Sequence, residues 1–473
     1  MKLSWNKLLC EERAYMSQDR PGSSNNQDPR NEFQKDYHRI IGSASFRRLQ
    51  DKTQVFPLDR GDFVRTRLTH SLEVASFARS LGQMICIHIM ENGLDPEMDT
   101  DKTDKICTVL ECSGLIHDIG NPPFGHFGED YIRYWFSNKL GEYSYKGESV
   151  TDLLTEQMKG DLYNFEGNAQ ALRILTKLHY LIGSNGMNLT FGLLNTIIKY
   201  PVSSTEIRKS DSIIHKKMGY YAAEENIFRR ITKATGAVDC RHPLAYILEA
   251  ADDIAYKTAD IEDAVKKGLI SYRDILEALK ASQHKAVNFG EQEKYTEAIE
   301  SLERRHEKAS SDHEAVSQWL ITRVQSLLLR SARYGFTSNY KAIMNGEYHH
   351  DILYGTQGQT IADVLGELAI KHVFRSKDIY KLEISAETIL GFLMDKLVKA
   401  AVNYDPEAGG KVSVDERIMS LVSENYRKAY AEGAKGRSET EKLYLRLLLV
   451  TDYICGMTDG YAKKLYQEFS GII

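Results

Sequence analysis

Residues 114–129 read GLIHDIGNPPFGHFGE. An apolar run delivers the adjacent pair His117 and Asp118, and a Gly/Pro-rich loop then presents His126 and Glu129. The run 103–118 has a helical pattern that Pro122 and Pro123 cannot continue, so the spacing predicts a helix stopping near Gly120. Neighbouring helical side chains diverge by about 100°. His117 and Asp118 can still bend toward one ion at the helix edge. The i, i+3 spacing of His126 and Glu129 allows contact if that segment opens a helix.

A metal needs more ligands than one dipeptide. Upstream, residues 66–91 carry apolar positions at 68, 72, 74, 77, 81, 84, 85 and 87, a stripe that predicts an amphipathic helix with His70 facing inward. Taken alone, an inward histidine is more often a hydrogen-bonded core residue than a ligand. Downstream, residues 248–260 read LEAADDIAYKTAD. Two adjacent acids among Ala and Ile on a buried-looking helix are costly unless paired or metal-bound. Asp252, Tyr256 and Asp260 are spaced i, i+4, i+8 on one face, whereas Asp253 falls on another, so Asp252 is the expected ligand. Two imidazoles and two carboxylates suit a borderline or hard divalent first-row ion. The absence of thiolates from the set disfavours structural zinc.

The surrounding chain is helical in pattern almost throughout, with runs near 36–49, 128–140, 166–183, 222–235, 241–268, 271–284, 290–332, 360–373, 386–403, 413–432 and 438–470. Proline is scarce, at 9 of 473 residues, which leans the same way. The fold class is all-α with minor β. The best extended candidate is TFGLLNTIIKYPVSS at 190–204, and 17–31, 200–220 and 404–412 read as loops. A single core stops growing near ~250–300 residues. One large core plus an appended subdomain is therefore expected, with an arm and loop over 1–35, the core over 36–285 and a C-terminal helical region over 286–473.

Composition excludes several classes. The 61 Lys+Arg and 66 Asp+Glu leave a net charge of −5, too near balance for a protein that coats nucleic acid. No apolar run reaches the length of a membrane span, and the N-terminus lacks the features of a secretory signal, so a cytoplasmic protein without membrane partners is expected. The six cysteines form no CxxC and read as buried apolar residues. A phosphate-binding GxxxxGK[ST] loop and a GxSxG elbow are both absent.

The H…HD…D order resembles the HD phosphohydrolase superfamily. Six blocks, FRRLQDKTQVFPLD (46–59), RTRLTHSLEV (65–74), LIHDIGNPPFGHFGE (115–129), FEGNAQALR (165–173), EAADDIAYKTADIEDA (249–264) and DYICGMTDGYA (452–462), are together similar to the deoxyguanosine triphosphate triphosphohydrolases. That resemblance implies an HD-domain helical core with an appended C-terminal helical subdomain. It implies cleavage of a deoxynucleoside triphosphate, with dGTP as the expected substrate, at the α-phosphorus to give deoxynucleoside and intact triphosphate. His70, His117, Asp118 and Asp252 are implied as ligands of a divalent ion, Mn²⁺ or Mg²⁺ first, with Fe²⁺, Zn²⁺ or Ni²⁺ as alternatives. His126 and Glu129 are implied as the catalytic pair. Lys199, Tyr200 and Lys217 are implied as phosphate contacts, Gln54 and Asp260 as contacts to the 3′-hydroxyl, Tyr256 as packing on the sugar, and Val55 as a neighbour of the base. Arg67, one turn before His70, can reach an α-phosphate oxygen. Homo-oligomerisation, a hexamer above all, and single-stranded DNA binding are further implications. The competing readings are another HD-type nucleotidase, and a nucleotide- or ssDNA-binding module with a vestigial metal site.

Overall fold

Thr66 accepts the Thr69 N–H on its hydroxyl while Thr69 bonds back to the Thr66 amide, and this reciprocal cap starts the helix that carries His70. The computed structural model describes residues 1–15, 28–56, 64–179, 183, 185–208, 212–288, 290–404 and 413–472. The elements that position the site are α1 (Glu32–Ile41), α2 (Arg67–Glu91), α3 (Thr100–Ile116), α4 (Gly125–Lys139), α5 (Gly167–Arg173), α6 (Pro243–Lys266), α7 (Lys377–Asn403), α8 (Glu439–Cys455) and α9 (Asp459–Phe469). The all-α reading holds. The described β structure is a two-stranded antiparallel hairpin, β1 (Ser144–Tyr145) with β2 (Glu148–Ser149). It turns through Lys146 and Gly147, both at positive φ as the favoured two-residue hairpin turn requires.

α2 packs chiefly on α3 and next on α6. The approach to α3 is close because Gly114 has no side chain: a Cβ there would lie 2.5 Å from the Ala75 backbone. Buried apolar residues form two main clusters. One contains Val74, Ile85, Leu110, Ile116, Ile254 and Trp319, and the other Ile132, Trp135, Ile174, Leu393, Leu447 and Ile454. Both clusters draw on residues either side of 285.

Several boundaries differ from expectation. α1 begins at Glu32 rather than 36, because Asn31 and Gln34 form a reciprocal cap. The run 290–332 is broken after His306, and Ser311 caps a new helix from Asp312. The run 438–470 is broken at Gly456–Thr458, where Thr458 caps α9. The expected extended piece at 190–204 is instead a buried helix over Phe191–Thr196. Its short apolar run has no polar face, so periodicity could not separate strand from helix. The 200–220 segment consists of short turns among its described residues, and the loops read at 17–31 and 404–412 lie mostly outside the described residues.

Candidate metal and nucleotide site

α2 buries Arg67, His70, Ser71 and Val74 on one side. The inward placement of His70 is as expected, but the stripe behind it is not, since Leu72 is 51% exposed. α3 ends at Ile116, earlier than the prolines required, and His117 caps it in a turn that runs to Gly120. His117 donates through Nδ1 to the Gly114 carbonyl at 2.8 Å. That bond fixes the ring and leaves Nε2 facing the site.

Asp252 comes from the middle of α6. Its Oδ1 lies 3.1 Å from Nε2 of His70 and 3.4 Å from Nε2 of His117. The two imidazole rings meet edge to face with centroids 5.4 Å apart. One donor atom from each of the three residues falls within 4.8 Å of the others. Asp253 points elsewhere and pairs with Lys257 at 3.0 Å. Three observations fit a divalent cation here. His117 Nε2 is buried with no hydrogen-bond partner. The donors are two imidazoles and a carboxylate, a suitable set. A crevice of about 20 Å³, the scale of one water, opens between His117, Asn168, Lys199, Glu249 and Asp252. Burial opposes charge on His117, but the carboxylates of Asp118 and Asp252 outweigh it and raise its pKa to about 9.

Asp118 lies beside this trio, its Oδ1 3.6 Å from His117 Nε2. Its Oδ2 is ion-paired with Arg67, and its Oδ1 accepts from Asn121 at 2.8 Å. Burial would raise the Asp118 pKa, but Arg67 and His117 hold it well below the usual carboxylate range. The Arg67 guanidinium is therefore at the ligand cluster, as the one-turn spacing to His70 anticipated.

α4 opens immediately after the loop, and Nδ1 of His126 lies 3.2 Å from Oε2 of Glu129. The His126 side chain is 72% exposed and that of Glu129 only 3%. The other Glu129 oxygen accepts the Gly167 N–H at 2.8 Å. The hydrogen bond that His126 donates to the Glu129 carboxylate raises the His126 pKa despite desolvation. Burial disfavours charge on Glu129, but His126 more than compensates and lowers its pKa.

The expected phosphate contacts now engage internal carboxylates. Lys217 lies 2.8 Å from Glu166, and Lys199 3.4 Å from Glu249. Lys216 is exposed, which separates it from Lys217. Tyr200 is buried beneath the Arg241 guanidinium, whose carbon sits 5.8 Å from the ring centroid. At the expected sugar end, Tyr256 is stacked on Phe374 with centroids 6.2 Å apart. Asp260 is buried against Tyr256, and its pKa is pushed well up by burial and by Asp263. Asp260 Oδ2 and Gln54 Oε1 are both buried without a partner. Val55 is half-buried nearby in sequence. Arg65 belongs to a half-buried ion-pair cluster with Glu73, Glu262 and Asp263. A larger cavity of about 440 Å³, lined in part by Arg173, Lys177, Glu224 and Tyr430, contains none of these residues.

Residues that local pattern did not single out contact the expected ones or their loop: Glu166 pairs with Lys217, Gly167 bonds Glu129, Glu249 meets Lys199 and Arg241, Lys52 bonds the Asn121 carbonyl and Asp459 the Phe124 N–H. The one signal available was their position within or beside the quoted blocks, since nothing in helical periodicity marks a buried charge as structural.

The model for the HD domain matches residues 67–158, which span α2, His117–Asp118 and His126–Glu129. The chain is 46% identical over 474 residues to a deoxyguanosinetriphosphate triphosphohydrolase-like protein of Listeria innocua, covering 99% of this chain and all of that protein. The Listeria monocytogenes protein of the same description matches equally, at 46% over 474 residues. A deoxyguanosinetriphosphate triphosphohydrolase of Yersinia pestis is 32% identical over 480 residues, covering 92% of this chain and 93% of that enzyme. With an HD-domain match and likeness running across nearly the whole length, this chain belongs to the deoxyguanosinetriphosphate triphosphohydrolase family of HD-domain hydrolases.

Proposed function

We propose that this chain hydrolyses deoxynucleoside triphosphates, dGTP first among them, at the α-phosphorus, releasing deoxynucleoside and intact triphosphate with the help of a divalent ion. The observation that carries the reading is the convergence of His70, His117 and Asp252 within 4.8 Å, with Arg67 and Asp118 alongside. His70, His117, Asp118 and Asp252 would hold the ion, Mn²⁺ or Mg²⁺ by their donor chemistry. When bound, such an ion supplies Lewis-acid polarisation of a phosphoryl oxygen.

The protein's own groups do the rest. Arg67 lies at the edge of the ligand cluster and offsets negative charge on the α-phosphate, exchanging part of its pairing with Asp118 for the substrate. Lys199, Tyr200 and Lys217 bind the outgoing phosphates in the same way, leaving Glu249 and Glu166. His126, exposed toward solvent and oriented by Glu129, moves the proton. Gln54 and Asp260 satisfy their unpartnered oxygens on the 3′-hydroxyl. Tyr256, held by Phe374 and Asp260, crowds the 2′ position and excludes ribonucleotides. Val55 lies by the base. Residues 36–285 carry this chemistry in the proposal, and 286–473 complete the pocket and the subunit contacts. Hexamer formation, single-stranded DNA binding and a cytoplasmic location rest on the resemblance and the sequence. Among the described residues, no helix is long and apolar enough to cross a membrane.

Incubation with dGTP and Mn²⁺ should give deoxyguanosine and tripolyphosphate, resolved by anion-exchange chromatography. Formation of dGMP and pyrophosphate instead would refute the α-phosphorus assignment. Turnover of dGMP in preference to dGTP would favour a nucleotidase.

A further inference from the structure

Two loops that flank the ligand cluster meet on one carboxylate. Asp459 opens α9 and is only 2% exposed. Its Oδ1 accepts the Phe124 N–H at 2.9 Å. Its Oδ2 accepts both the N–H and the hydroxyl of Thr53, at 3.1 and 2.5 Å. Phe124 has a φ of 65°, a left-handed conformation that a bulky residue keeps only when its surroundings over-determine it. It stands two residues before His126 and five before Glu129. Thr53 stands one residue before Gln54, and it pairs across an antiparallel bridge with Thr66, next to Arg67.

A second tie runs beside the first. The buried Lys52 ammonium donates to the carbonyls of Asn121 and Cys455, each at 2.6 Å. The Lys52 carbonyl accepts the Arg67 N–H at 2.9 Å. The C-terminal segment 455–459 thus holds the sugar-side loop and the catalytic loop at a set spacing, although it contributes no ligand. A planar carboxylate gripping both loops cannot let one shift without straining its bonds to the other.

We infer that Asp459 is a positioning residue for hydrolysis, setting the spacing between Gln54 and the His126–Glu129 pair. The inference rests on the dNTP-hydrolysis reading above. Its test compares full-length wild type with Asp459→Ala, Asp459→Asn and Thr53→Val, using dGTP and Mn²⁺ well below the melting temperature. Folding is checked by circular dichroism and metal content by mass spectrometry.

Misplacement of reacting groups by about 1 Å can cost about 100-fold, and Asp459→Ala is expected to lower kcat on that scale while staying folded and metal-loaded. Thr53→Val, which loses one bond on the Gln54 side, should raise KM more than it lowers kcat. Asp459→Asn keeps one acceptor oxygen and should fall between the two. A kcat for Asp459→Ala within about threefold of wild type, per folded and metal-loaded molecule, overturns the inference. If Asp459→Ala does not fold, unchanged kcat and KM in both Thr53→Val and Asp459→Asn overturn it equally. Wild type that hydrolyses no dNTP sinks the functional reading instead, so the two failures are distinguishable.

Discussion

Glu129 bridges two elements: one carboxylate oxygen lies 3.2 Å from Nδ1 of His126, and the other accepts the backbone N–H of Gly167. The histidine is thereby anchored at one nitrogen and free at the other. A general base acts in its neutral form. Because Glu129 raises the His126 pKa, the ring stays protonated to higher pH, and the acidic limb of kcat should lie above the ordinary histidine value of about 6.5. Glu129→Gln should move that limb downward and reduce kcat. His126→Ala should lower kcat by roughly 10²–10⁴-fold with metal retained. A limb in Glu129→Gln superimposable on wild type would detach the pair from proton transfer.

Asp252 Oδ1 faces the imidazoles of both His70 and His117, so, as a proposed ligand, Asp252→Asn should weaken Mn²⁺ binding by more than the 10–100-fold typical of residues that only support a ligand. Isothermal titration of the chelated protein with MnCl₂ reads this directly. Asp253→Asn removes a partner of Lys257 instead and should leave the affinity near wild type.

The buried ion pair between Arg67 and Asp118 makes a stability prediction. Their side chains are 2% and 16% exposed. Removing one partner of a buried pair strands the other's charge, so Arg67→Ala or Asp118→Ala should each destabilise the metal-free protein by about 3 kcal/mol or more. Removing both should cost less than the sum, as a double-mutant cycle in urea would show. Additive losses would mean that the two groups are not coupled.

Where the sugar is proposed to bind, Gln54 Oε1 and Asp260 Oδ2 are buried without partners among the described residues. A site built to bond a hydroxyl rejects analogues that lack it by as much as ~10⁴-fold. Dideoxy-GTP should therefore show a large loss in kcat/KM relative to dGTP. Tyr256→Ala should narrow the preference for dGTP over GTP. Equal turnover of dGTP and its dideoxy analogue would remove these residues from sugar recognition.

Gly167 supplies a steric prediction. A Cβ there would lie 2.1 Å from Asn121 Oδ1 and 2.6 Å from Glu129 Oε1. Gly167→Ala should displace both side chains, cost about 1–3 kcal/mol by overpacking, and lower kcat. Thermal melting and steady-state kinetics together check it.

The helical class and the His126–Glu129 contact were legible in the sequence because each rests on local geometry. A spacing of three or four residues puts side chains on one helical face, and a proline pair such as Pro122 and Pro123 cannot continue a helix. The same rule separates the faces of Asp252, which lies by both imidazoles, and Asp253, which pairs with Lys257. The placement of Leu72 and the 190–204 segment were misread because exposure and strand pairing are not local properties.

What the sequence determined by itself, then, was which residue types stand at which helical offsets. The tertiary structure alone decided that Arg67 pairs with Asp118 across 51 positions, and that Asp459 reaches Thr53 and Phe124 across 406 and 335. The physical reason is that a buried charge is tolerated only where its partner arrives in space. No periodicity along the chain encodes which distant segment will bring that partner.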